Sequence, residues 1–292
     1  MMAGVTLLTP EVARPPRRPP AILVLLAAFG VVVGLAMTGD EADATCGATE
    51  FCRSELVGYL ILGVLVAAPI TAFIHRGVAA ALALAMAVTW LAQGENLPPV
   101  VDGIGLAFAA LCLYVAWPRR PVETDAGPIQ VTPPAPPRLP YLGRVSLTLG
   151  LLTLVGTAVI IAASTPSRDP EAPDPPWPFF ALVTGSIGVA LVLRSLARDR
   201  ARRRLFTSAQ PFHTMLVRRD RHLLLIDVVR DGADSTLVVP LGPATGAPVG
   251  PIPTREASIY GSIGPGQWCC AVIDGELLVP SGPARLVAGR MR

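Results

Sequence analysis

Arg194-Ser195-Leu196-Ala197-Arg198-Asp199-Arg200-Ala201-Arg202-Arg203-Arg204 is the stretch on which the architecture turns. It holds six arginines and directly follows the apolar run 179–193. Guanidinium groups cross hydrocarbon only at high cost, so a cluster of them fixes the adjoining helix end on the cytoplasmic side of a membrane. Read outward from this point, the preceding chain has the character of membrane helices. The following 88 residues, 205–292, have the character of a small water-soluble β domain.

Composition supports that division. Of 292 residues, 52% are apolar and only 15% charged, against roughly a quarter charged in soluble domains. The charges are unevenly placed and leave windows of about twenty residues almost free of them, long enough for ~30 Å of hydrocarbon. All 24 basic residues are arginine, which together with the Ala, Pro, Gly and Val richness points to a bacterial source. The net charge of +3 carries little information, because the arginines sit in particular loops.

Before the arginine cluster the pattern predicts six transmembrane helices. Residues 1–20 form a Pro-rich cytoplasmic tail with Arg14, Arg17 and Arg18, too polar to fold alone. Four spans follow within 21–117 (21–37, 56–74, 77–93 and 103–117). Residues 118–144 are a Pro-rich cytoplasmic linker, and two more spans occupy 145–193. A signal peptide ending near Ala42-Asp43-Ala44 is the other reading of the first run. That run is longer than the usual signal core and acidic residues intervene before the site, so it is read as a retained span. In this alternating arrangement Arg14, Arg17, Arg18, Arg76, Arg119, Arg120, Arg138, Arg144 and the cluster all fall on one side. Only Arg53 and Arg168 fall on the other. The chain is therefore expected in a bacterial plasma membrane, multi-pass, with both termini cytoplasmic.

After the cluster, β-like runs recur at 214–218, 222–229, 235–241, 257–263, 267–273, 276–280 and 284–288. Asp274-Gly275 between two of them is a hairpin signal, and Asp231-Gly232 and Gly264-Pro265-Gly266 mark further turns. Short strands at this spacing predict a small all-β barrel, SH3-like, OB-like or PH-like. The unbroken apolar runs 223–226 and 237–239 predict strands covered on both faces.

Few residues carry chemistry. Cys46 and Cys52, in the first extracytoplasmic loop, are expected to form a structural disulfide, since oxidising compartments preserve such bonds. Cys112 reads as packing, and Cys269-Cys270 as reduced thiols on opposite faces of a strand. Gly30 and Gly34 make a GxxxG match suited to close helix packing. His213, His222, Asp220, Asp227 and Cys269 form no catalytic motif, so no enzyme activity, cofactor or metal site is expected. Residues 205–292 hold eight arginines and seven acids, no basic stripe for nucleic acid.

The spans carry hydroxyls but no ionisable groups away from their boundaries, which argues against a proton-coupled transporter. Arg194, Arg198, Arg200, Arg202, Arg203 and Arg204 read as topology anchor and lipid-headgroup contact, at ~1 kcal/mol per arginine near an anionic surface. The function these features suggest is a non-enzymatic scaffold or regulator. It would present a cytoplasmic β module to a protein partner through a strand edge or an apolar patch. A transport or channel protein with a regulatory cap is the other reading.

Overall fold

The computed structural model describes residues 24–31, 55–92, 99–117, 129–136, 139, 143–163, 177–220, 222–230, 233–242 and 254–288. These divide into two compact units. One comprises Arg18–Arg119 and Gly143–Leu196, and the other includes Arg120–Leu142 and Ala197–Arg292.

The helical unit contains α1 (residues 24–31), α2 (Glu55–Ile74), α3 (Arg76–Ala92), α4 (Pro99–Ala116), α5 (Arg144–Ala163) and the first part of α6 (Trp177–Thr207). Its core joins Val24, Ala28 and Val31 of α1 to Leu65 and Ala68 of α2, Ala83 and Met86 of α3, and Phe108 and Cys112 of α4. Many of these side chains are small, which lets helix backbones approach closely.

The expected bundle of six spans is corrected here. Among the described residues only α5 and α6 are long and apolar enough to cross a membrane. The apolar parts of α2, α3 and α4, Tyr59–Ile74, Arg76–Val88 and Gly103–Val115, hold 13–16 residues each. At ~1.5 Å per residue they reach about 20–24 Å, short of the ~30 Å hydrocarbon core. The physical reason is that an Ala-rich, charge-free window suits a helix covered by protein as well as one covered by lipid. In α2 and α3, Ala67, Ala68, Ala79 and Ala83 are wholly buried. Of the GxxxG match, Gly34 lies outside the described residues, and among the described residues nothing lies within 4 Å of where a Cβ on Gly30 would be.

Close packing appears instead between α5 and α6, which run antiparallel. A Cβ on Gly150 would meet the Gly188 carbonyl at 2.9 Å, and one on Gly188 would meet Leu154 Cγ at 2.9 Å. The hydroxyls of Thr157 and Thr184 lie 2.7 Å apart across the same contact. Only Gly150 and Thr157 of α5 are buried. Val145, Leu149, Leu152, Val155 and Val159 are exposed.

The other unit is built on one antiparallel sheet. Its strands are β1 (Gln130–Val131), β2 (Gln210–Asp220), β3 (Leu223–Arg230), β4 (Ala233–Pro240), β5 (Arg255–Gly261), β6 (Cys269–Ile273), β7 (Glu276–Leu278) and β8 (Arg285–Ala288). The order is β7-β6-β5-β2-β3-β4-β8, with β1 pairing β2. Past the ends of β4 and β7 the chain comes together again. Leu241 bridges Pro280, Gly242 N donates to Val279 O at 3.0 Å, and Ser281 N donates to Pro240 O at 2.8 Å.

Side-chain alternation places Met215, Val217, Ile226, Leu237, Ile259, Ala271 and Leu278 in the inner core. On the opposite face, Leu225 and Val238 lie side by side in register and are both buried. Arg218 and Arg285 flank them on the neighbouring strands, where arginine stems cover apolar surface well. A second small core lies over β5–β7, where Leu205 and Phe206 of α6 join Cys270, with Leu139, Tyr260, Leu277 and Val279 packed against them. This explains the continuous apolar runs only in part, but it does show that the sheet has two apolar faces.

The unit is thus larger than 205–292. It takes in β1, which comes from the Pro-rich segment, and the last turns of α6.

Candidate functional site

Among the described residues the polar groups with unusual surroundings lie on the end of α6 and on the sheet. The arginine cluster is helical throughout, because α6 continues unbroken from Trp177 to Thr207. Alanine, leucine and arginine are strong helix formers, and nothing between 194 and 204 breaks a helix. Helical periodicity then separates the arginines. Ser195, Asp199, Arg202 and Phe206 are buried, spaced at four, three and four residues as one helix face requires.

Arg200, Arg203 and Arg204 are exposed, and Arg194 and Arg198 half-buried. Arg203 Nε donates to Asp199 Oδ2 at 2.6 Å. Burial pushes the Arg202 guanidinium below its usual range, opposed by the nearby Asp199 carboxylate and reinforced by Arg203. Ser195 Oγ donates to the Gly143 carbonyl at 3.1 Å, so the start of α5 meets α6 at the first turn of the cluster.

On the sheet, Arg219 continues the inward row of Met215 and Val217 along β2. Its side chain is 3% exposed. Nη1 donates to both Glu276 oxygens at 3.2 Å, while Nε and Nη2 are buried and find no hydrogen-bond partner among the described residues. Arg255 pairs with Asp274 in the adjoining β6–β7 turn, and Arg218 with Asp227 at 3.0 Å. The turn itself has Asp274 and Gly275 at positive φ, the geometry a two-residue hairpin loop demands.

The Arg219–Glu276 pair makes a prediction. Breaking a buried ion pair from one side costs ~3–5 kcal/mol, but Glu276 is half exposed and water can replace part of it. Glu276→Ala is therefore expected to lower stability by about 1–3 kcal/mol. Arg219→Met in that background should recover most of the loss, because the uncompensated charge is gone. Thermal melting of the purified chain in detergent checks this, and equal melting of wild type and Glu276→Ala would show that the pair contributes nothing.

The groups considered for catalysis are not brought together. His213 faces the same side of β2 as Met215, and burial holds its pKa below the usual histidine value. His222 and Asp220 are exposed around the β2–β3 turn. Asp227 belongs to its pair with Arg218. Cys269 lies in the inner core and Cys270 in the core over β5–β7, and burial pushes both thiols up to about 12. Such thiols are inert as nucleophiles at neutral pH. Among the described residues no group of three or more His, Cys, Asp or Glu could hold a metal ion. Cys46 and Cys52 lie outside the described residues.

Sequence reasoning missed the inward Arg219 and its partner Glu276. The period-two alternation Met215-Val217-Arg219 was the signal that could have found the first. No family model, no curated protein and no solved structure matches this chain.

Proposed function

We propose that this chain is a non-enzymatic membrane protein whose α5–α6 hairpin carries the β module on the arginine-bearing, cytoplasmic side, for contact with a protein partner. The observation that carries the reading is the continuity of α6. At ~1.5 Å per residue its 31 residues extend for roughly 46 Å, more than a bilayer's hydrocarbon core requires. Its first part is apolar, and its last turn contributes Leu205 and Phe206 to a core over the sheet.

The character of α5 supports the same reading. A helix of 20 residues with only Gly150 and Thr157 buried offers water an apolar surface that a soluble protein would not tolerate. A hydrocarbon environment removes that conflict. The hydroxyls that a pore would use are taken up locally. Thr153 donates to Leu149 O, Thr157 to Thr153 O, Thr184 to Phe180 O and Ser186 to Leu182 O.

As for the partner, the apolar patch over β5–β7 is filled from within the chain by Leu205, Phe206 and Leu139. Among the described residues from 205 onward, Leu216 is the one large apolar side chain that is exposed. A partner contact is accordingly centred on the outer face of β2.

Cysteine accessibility in cells tests the arrangement. The chain is expected to resist alkaline extraction from membranes. A cysteine at Pro173, between α5 and α6, should react with an impermeant maleimide from outside, and Ser208→Cys only after lysis. Labelling of Ser208→Cys in intact cells, or extraction of the chain into the alkaline supernatant, would overturn the reading. A photo-crosslinking residue at position 216 is expected to give one discrete adduct in native membranes, and its absence would remove the partner.

A further inference from the structure

The exposed face of α6 beyond the apolar segment presents Arg200 and Arg204 four residues apart. Residues at that spacing lie one above the other on a helix, ~5–6 Å apart, and two like charges there repel. Among the described residues neither side chain makes a hydrogen bond or ion pair. Arg203, exposed beside them, is held at Nε by Asp199, whereas Arg202 points the other way and is buried. One face of the helix therefore concentrates guanidinium groups without supplying their counter-charge.

We propose that Arg200 and Arg204, with Arg203 alongside, form a site for the phosphate headgroup of an anionic phospholipid in the membrane that holds α6. This rests on the membrane reading above and adds the lipid class and the residues.

Three physical points favour this occupant. A phosphate shared between the two arginines turns their mutual repulsion into a common attraction. The planar guanidinium fork matches phosphate oxygens two at a time, which an ammonium does not, and every basic residue of the chain is arginine. Finally, side chains on a helix slant toward its N-terminus. Along α6 that direction runs back toward the apolar segment, so these arginines lean toward the bilayer surface rather than away from it.

The test uses the full-length chain in nanodiscs of phosphatidylcholine, alone or mixed equally with phosphatidylglycerol. Native mass spectrometry reads the phosphatidylglycerol retained after release. Arg200→Gln/Arg204→Gln is compared with wild type and with Arg255→Gln/Arg285→Gln, which removes the same charge from the sheet. At the usual strength of an arginine near an anionic surface, the α6 variant is expected to hold phosphatidylglycerol about thirty-fold more weakly. The sheet variant should match wild type.

Equal retention by the α6 variant would overturn the site, as would equal loss in the sheet variant. Inorganic phosphate that competes at millimolar concentration would also overturn it, by showing a free-anion site in place of a headgroup site. Membrane insertion separates this proposal from the one on which it rests. If the α6 variant still resists alkaline extraction but keeps its phosphatidylglycerol, only the lipid site fails.

Discussion

Gly261→Ala is expected to be the most damaging small substitution in the β module, lowering stability by about 2–6 kcal/mol. Gly261 ends β5 at φ 114°, a conformation that residues with a Cβ avoid at a cost of ~1–3 kcal/mol. A Cβ there would also meet the Trp268 carbonyl oxygen at 2.4 Å and Cys269 Cα at 3.0 Å. Both obstacles are in the main chain of the paired strand, since Gly261 opposes Cys269 in register. They cannot rotate away as a side chain would, and forcing the strands apart adds another ~1–3 kcal/mol. The disturbance reaches the inner core through Cys269 and the core over β5–β7 through Cys270. Circular dichroism and thermal melting of the full chain in detergent check the outcome. A variant that melts within one or two degrees of wild type would show that the β5–β6 pair has more freedom than its geometry implies.

The second large effect is expected at Gly188. A side chain there would strike Leu154 Cγ and, at 3.1 Å, the Gly150 carbonyl, so Gly188→Leu must drive α5 and α6 apart. The overpacking costs about 1–3 kcal/mol. The lost approach also breaks the hydroxyl contact between Thr157 and Thr184. That contact supplies the measurement. Thr157→Cys/Thr184→Cys is expected to close into a disulfide under mild oxidation, and adding Gly188→Leu should abolish it. Gly30→Leu in the same background should leave the cross-link untouched, because among the described residues nothing lies within 4 Å of a Cβ at Gly30. Undiminished cross-linking in the Gly188→Leu chain would disprove the close approach.

How far the sequence could be read depends on which physical signal each element writes into it. The strands from β3 onward were legible to within about two residues, whereas β2, expected at 214–218, runs from Gln210 to Asp220. Apolar alternation and turn pairs such as Asp274-Gly275 are local, and the observed β3, β4 and β6 fall on the expected runs. The contribution of the Pro-rich segment was not legible. Gln130 and Val131 pair with Pro211 and Gln210, a long-range choice that two residues cannot announce. The end of α6 was misjudged for a different reason. A run of arginines reads as a boundary in hydropathy, yet arginine is also a good helix former, so the membrane signal stops while the helix goes on. Likewise the absence of charge beyond the first turn of α2–α4 fits protein-covered helices, and it was this that overstated the number of spans. For the arginine set itself, composition located the cluster, but only helical phase tells Arg202, turned inward and buried, from Arg200 and Arg204.

The pairing of β1 with β2 and the meeting of Leu241 with Pro280 carry a consequence for how the chain is made. The contacts of α5 with α6 span a few tens of residues and can form while the remainder is still being synthesised. The sheet is different. β2 waits for β5, the ends of β4 and β7 meet only when residue 280 has emerged, and β8 must still dock on β4. Contacts of such sequence separation are slow to form, and until they do the apolar strands β3 and β4 stand as an uncovered hairpin. A nascent chain stalled near residue 250 would therefore be the species most open to proteolysis and to capture by chaperones.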